Sequence, residues 1–141
     1  SLTKEQLQEF SILYLIINNL NFFKKNQSLL ENINMITIEG SQVFSKIFNL
    51  ISSNNELDIN LLPIDKNFFQ KINKFASVKH ISNSIQKDEN KLRQIFNEMK
   101  KDLQNLLIDI KISKLESKFS KDMDEITFNE IKELKKLQNN K

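Results

Sequence analysis

Between Asp88 and Phe119 the chain runs without a Gly or a Pro, and its apolar residues fall in two successive helical stripes. The first is Leu92, Phe96, Met99, Leu103, Leu106 and Ile110. It steps by alternate fours and threes, the spacing of a helix seated on other helices. At the next positions in that register stand Ser113 and Ser117, both polar. A second stripe, Ile108, Ile112, Leu115 and Phe119, takes over. At about 100° per residue it lies roughly 180° round the helix from the first. One helix with two opposed apolar faces bridges a larger body and a smaller one. The expected fold is therefore all-α: a multi-helix bundle over residues 1–107, which includes the long helix from about residue 88, and a C-terminal helical hairpin over residues 108–141.

The rest of the chain agrees with helices. There is one Gly and one Pro in 141 residues, too few for the turns of an all-β fold. Thr3 and Gln6 have capping-box spacing and Leu2 and Leu7 the spacing of a hydrophobic staple, so a first helix should start there. Its apolar face is Leu7, Phe10, Leu13, Tyr14 and Ile17, and Asn18-Asn19 ends it. A short helix holding Phe22 and Phe23 should end near Asn26. Residues 28–38 are less periodic and suit a short helix and an extended connection. Gly40 marks a loop of unusual backbone angles, with Ser41 capping a helix to about Ser53 that buries Val43, Phe44, Ile47, Phe48 and Ile51. Asp58 caps a short turn that Pro63 stops, and Asp65 caps a helix with Phe68, Phe69, Ile72 and Phe75 inward. A mixed connector, with Val78, Ile81 and Ile85 as its apolar positions, leads to the long helix. After it, Ser120 to Glu125 reads as a polar loop. Thr127 with Glu130 as capping box, and Ile126 with Ile131 as staple, start the last helix, whose apolar side is Phe128, Ile131, Leu134 and Leu137.

Little in the chain supports chemistry. Cysteine is absent and His80 is the only histidine, which excludes zinc sites of ordinary composition. One glycine cannot build a phosphate-cradling loop. Asp122, Asp124 and Glu125 cluster without the glycine and the final glutamate of a calcium loop, and read as a solvated turn. The net charge of +3 is mild, and lysines such as Lys100, Lys101, Lys111 and Lys118 are interleaved with Asp102 and Glu116, so direct nucleic-acid binding is not expected. No apolar run reaches the ~18 residues of a membrane span. The chain begins at Ser1, which suggests a piece of a longer protein or a processed product. What remains is the terminal hairpin, whose apolar payload is large for two helices: either it folds back on the main bundle, or part of its apolar face is kept for a partner, as the reversal of stripes in the long helix favours.

This layout resembles the C-terminal helicase-binding domain of bacterial DNA primase, from about Phe10 to Asn140. In that family a helical bundle is joined by a long helix to a C-terminal helical hairpin. The apolar helix Ile12-Leu13-Tyr14-Leu15-Ile16-Ile17-Asn18-Asn19 is similar to the family's opening helix, with Leu20-Asn21-Phe22 where the family has a Pro-Glu-Leu-like stop. Lys91-Leu92-Arg93-Gln94-Ile95-Phe96, followed by Leu103, Leu106 and Leu107, resembles its long-helix register. The segment from Asn129 to Gln138 is similar to the short charged helix that closes the family sequence. The resemblance implies recruitment of primase to the replicative DNA helicase at the replication fork for RNA primer synthesis, with modulation of helicase activity. The partner would be the helicase's N-terminal domain and the location the cytoplasmic replisome. It implies no catalytic residue and no cofactor in this segment, since the family's zinc and magnesium sites lie in regions N-terminal to it. The expected contact residues are Phe128, Ile131, Leu134, Leu137 and Gln138, with Lys132, Lys135 and Lys136 at the rim. The isolated domain should be a monomer in dilute solution or a dimer made by exchanging hairpins. Two other readings remain open: the N-terminal domain of the helicase itself, and a helical surface adhesin from an AT-rich bacterium.

Overall fold

A computed structural model describes residues 2–53, 56–62, 64–76 and 87–139. Pro63, His80 and the connector positions Val78, Ile81 and Ile85 lie outside them. Among the described residues the chain is helical and has no strand. In order come α1 (Lys4–Ile17), α2 (Leu20–Lys25), a 3-10 turn (Gln27–Leu30), α3 (Ile38–Ser52), a second 3-10 turn (Ile59–Leu61), α4 (Lys66–Phe75), α5 (Glu89–Asp122) and α6 (Glu125–Asn139). The chain divides into two compact units, Ser1–Leu103 and Gln104–Lys141, and α5 runs unbroken through the division. The reversal of stripes in the sequence had put that division between residues 107 and 108.

The first unit is built round α1. Its start is the expected capping box: the Thr3 hydroxyl accepts from the Gln6 N–H at 3.1 Å, and the Gln6 side chain accepts from the Thr3 N–H at 2.9 Å. The expected single apolar face is corrected, because Ile12, Leu13, Leu15 and Ile16 are all fully buried while Leu7 is exposed. A helix apolar all round is a central helix with neighbours on every side, and α1 contacts α2, α3 and α4. Asn18 and Asn19 end it by donating side-chain N–H groups back to the carbonyls of Tyr14 and Leu15, both at 2.8 Å. The Tyr14 carbonyl also takes the Asn18 backbone N–H, while the Asn19 side chain reaches the Leu15 carbonyl, since the Asn19 backbone N–H goes to Ile16 instead. Phe10 meets Phe68 of α4 edge-on at 5.5 Å, and Phe23 of α2 meets Phe96 of α5 at 4.7 Å. Arg93, the only arginine, lies over the Phe22 ring and donates to the Asn26 side chain at 3.0 Å. It thus pins the start of α5 to the end of α2. In α4, Phe68 and Ile72 are buried, but Phe75, the last residue of the helix, is exposed rather than inward.

Gly40 does not sit in a loop. It lies in the first turn of α3, the cap is Thr37 rather than Ser41, and its φ is not positive. Its smallness serves a close approach by Glu9, an almost fully buried acid on α1. The Glu9 carboxylate accepts from the backbone N–H groups of Ile36 and Thr37 and from the Thr37 hydroxyl at 2.6 Å. That hydroxyl in turn accepts from the Gly40 N–H at 2.9 Å. A Cβ on residue 40 would stand 2.7 Å from the Glu9 Oε1 and 2.9 Å from the Thr37 Oγ1. A buried carboxylate at a helix N-terminus fits both the open N–H groups and the positive end of the helix dipole.

The long helix begins as expected. Asp88 caps it, accepting from the N–H groups of Asn90 at 3.1 Å and Lys91 at 3.2 Å. Of the first stripe, Leu92, Phe96, Leu103 and Leu106 are buried, and Met99 and Ile110 half-buried. Of the second, Ile112 is buried and Ile108, Leu115 and Phe119 half-buried.

Candidate docking face on the hairpin

The second unit is a hairpin made of the last part of α5 and of α6, joined by Met123 and Asp124 alone. The expected polar loop from Ser120 to Glu125 is shorter because α5 runs on to Asp122. Met123 stops it in the left-handed region, with φ 49°, and its N–H bonds to the Phe119 carbonyl at 2.7 Å. This is the single-bond left-handed stop of helix C-termini. The cap of α6 is likewise corrected from Thr127 to Asp124. The Asp124 carboxylate accepts from the Ile126 N–H at 2.9 Å, and its backbone carbonyl takes the Phe128 N–H at 3.0 Å. Thr127 is buried, and it spends its hydroxyl on the same carboxylate at 3.0 Å. A carboxylate that follows directly on the left-handed stop outcompetes a threonine three residues further on, because it captures one more turn of helix.

The Thr127 hydroxyl, then the Ile126 N–H, hold the Asp124 carboxyl below its usual value. A depressed acid contributes stability at pH above its unfolded value and loses it as the pH falls through its folded one. Asp124→Ala should therefore weaken the hairpin at neutral pH. Asp124→Asn should keep the Ile126 bond on its one oxygen, turn the Thr127 hydroxyl from donor to acceptor of the amide NH2, and remove the acid-side loss. The check is amide exchange of α6 from pH 7 down to below 4, read as the difference between each variant and the wild type. An Asp124→Ala hairpin as protected as the wild type would refute the cap.

The two helices are held by a seam and by polar ties. Ile112, Thr127 and Ile131 are buried, with Leu115, Phe119 and Leu134 half-buried beside them. The Phe119 and Phe128 rings lie 5.6 Å apart. The Lys135 ammonium pairs with the Glu116 carboxylate at 3.2 Å. The Gln138 side chain donates to the Asn105 carbonyl at 3.5 Å and to the Asp109 carboxylate.

The residues expected to meet a partner thus have different settings. Ile131 is inside the seam. Gln138 and Lys135 are engaged with α5. Phe128 is stacked on Phe119 but keeps 45% of its surface exposed, and the Lys132 ammonium lies 5.5 Å from its ring. Lys136 pairs with Glu133 on its own helix at 3.3 Å. Leu134 is half-buried and Leu137 is 61% exposed. Ile126, read from sequence as a staple, is 70% exposed.

Ile126 and Leu137 belong to one face. On α6 they lie about 120–140° round the helix from Ile131, with Glu130 and Glu133 between them and Leu134 at the edge of the seam. Ile126, Asn129, Glu130, Glu133 and Leu134 line a shallow, open depression on that face. The signal for it was present in the sequence as the spacing 126, 130, 133, 137, but the acids at two of the four positions hid it.

Among the described residues no group of three or more His, Cys, Asp or Glu side chains is placed to hold a metal ion. No described helix is long and apolar enough to cross a membrane. No known protein family, curated protein or solved structure matches the chain.

Proposed function

We propose that this chain is a protein-docking module whose C-terminal hairpin carries the binding face. In its most specific form, the one the sequence resemblance suggests, it is the helicase-binding domain of a bacterial DNA primase. Its partner is then the N-terminal domain of the replicative DNA helicase, and its work is to recruit primase for primer synthesis. The observation that carries the docking reading is the exposure of Ile126 and Leu137 on the outer face of α6. Ile112, Thr127 and Ile131 are the buried side chains between the two helices, and most of the surface of Ile126 and Leu137 stays outside that packing. Two large aliphatic groups on one helix face stabilise a complex only when a partner removes them from water, at about 25 cal/mol per Å². The basic and acidic groups around them suit a polar rim.

Titration of the labelled chain with a bacterial replicative helicase, by fluorescence anisotropy, tests the specific form. Binding in the micromolar range is expected for a reversible recruiting contact. Ile126→Glu with Leu137→Glu should weaken it at least tenfold, about 1.4 kcal/mol, while leaving the helical content unchanged. Absence of wild-type binding at about 100 µM helicase, some −5.5 kcal/mol, would overturn the helicase as partner.

A further inference from the structure

The α6 face just described does not end at α6. On α5, Lys111, Lys114 and Lys118 are exposed and follow one another at three- and four-residue spacing. They lie about 100–160° round α5 from the seam residue Ile112. The direction is the same as that of Glu130 and Glu133 round α6 from Ile131, so in an antiparallel pair both rows look out on one side of the hairpin. Leu115 and Leu134, both half-buried, lie between the rows at the edge of the seam. Among the described residues none of the three lysines makes an ion pair, and of the two acids Glu133 holds only the exposed pair with Lys136 on its own helix, which is weak enough to be exchanged. This side is therefore a basic row, an apolar centre and an acidic row, laid side by side.

The levels of the rows are fixed by contacts within the hairpin. Phe119 stands against Phe128, and Asp109 against Gln138. Counting along both helices from these contacts puts Lys114 level with Glu133, and Lys118 within one residue of Glu130. A two-fold axis parallel to the helices keeps every level and exchanges left for right. It therefore lays the lysine row of one copy over the glutamate row of the other, twice.

On this basis we propose that the partner this face fits is a second copy of the chain, the two hairpins forming a symmetric four-helix bundle. This rests on the reading of the outer α6 face as a docking face, and it names an occupant. A foreign partner would need to present both charge rows at the right levels; the chain itself already does. A self-complementary patch is the requirement of a two-fold interface, and charge rows that match across it set partner and register. The contact is small. The 15 residues of α6 span roughly 22 Å, and a two-helix face is about 20 Å wide at 10–12 Å per helix. The footprint of some 450 Å² per copy is well under the ~800 Å² of a stable interface. The dimer forms and dissociates with concentration.

Sedimentation equilibrium of the intact chain, from about 1 µM to about 500 µM at low salt, tests the proposal with Lys114→Glu, Glu133→Lys and the double variant carrying both. The wild type should pass from monomer to dimer and dissociate as salt is raised. Each single variant sets like charges opposite each other at two places and should weaken association at least tenfold. The double variant restores both pairs and should return to within about threefold of the wild type. A monomer throughout, a dimer indifferent to the single variants, or a double variant no better than the singles would each overturn the proposal. Charge-indifferent dimers are what exchanged hairpins would give. Helicase binding measured on the same samples separates the two readings: binding without self-association removes only the second copy as occupant, and loss of both removes the docking face as well.

Discussion

Glu9→Ala is expected to destabilise the first unit by about 3 kcal/mol and to lower its melting temperature by on the order of 15 °C. The substitution leaves the N–H groups of Ile36 and Thr37 and the Thr37 hydroxyl without the acceptor they share. It also opens a hole beside Gly40, where the carboxylate now sits close enough that no Cβ would fit. Donors left unpaired where the buried Glu9 side chain was cost more than the average hydrogen bond contributes, because the water that would replace the acceptor is kept out. Glu9→Gln should fall between, since an amide oxygen accepts two of the bonds but its NH2 group faces a donor. Gly40→Ala tests the same contact from the other side. Alanine gains up to ~1 kcal/mol of helix propensity, but the clash with Glu9 should more than cancel it. Glu39→Ala, on the exposed side of the same helix turn, should change stability by under about 0.5 kcal/mol. Thermal melts of the four variants decide the matter. A Glu9→Ala protein that melts within 3 °C of the wild type, on the order of half a kcal/mol, would sink the account.

That contact also marks where local reading of the sequence stops. The capping box at Thr3, the caps at Asp58 and Asp65, and the two stripes of α5 were legible because each is a relation between residues a few places apart. Glu9 and Gly40 are related across 31 positions, and nothing near either residue announces the other. An acid on an apolar helix looks like a solvated position until its buried partners are known. The same limit made Gly40 look like a loop. At the hairpin the failure was different. Thr127 with Glu130 had capping-box spacing, Ile126 fitted a staple for that later start, and Asp124, the residue that caps the helix, read only as part of a solvated turn. Once the helix starts at Glu125, Ile126 turns outward. The three-residue shift in the start changes the docking face, moving Ile126 onto it.

A proline at Ser113, the position where the two stripes of α5 hand over, should abolish the hairpin and leave the first unit folded. The structure places Ser113 inside the second unit, next to the buried Ile112. Proline there removes the N–H that bonds to the Asp109 carbonyl four residues back and presses its ring on that carbonyl, at about 3 kcal/mol or more. Asp109 is also the residue that Gln138 holds from α6, so the helix break and the loss of a cross-hairpin tie fall on the same turn. A two-helix unit whose buried side chains, among the described residues, are Leu106, Ile112, Thr127 and Ile131 does not survive a loss of that size, since it buries too little apolar surface to offset it. The first unit has its own core in Ile12, Phe23, Ile47 and Phe96, none of which depends on Ser113. Amide exchange should therefore show α6 unprotected while α1 stays protected, and both helicase binding and self-association should vanish together. Protection retained at Ile131 would mean the hairpin tolerates the kink. Protection lost at Ile12 would mean the two units fold as one, and either result would remove the reason for treating the hairpin as the separate, docking part of the molecule.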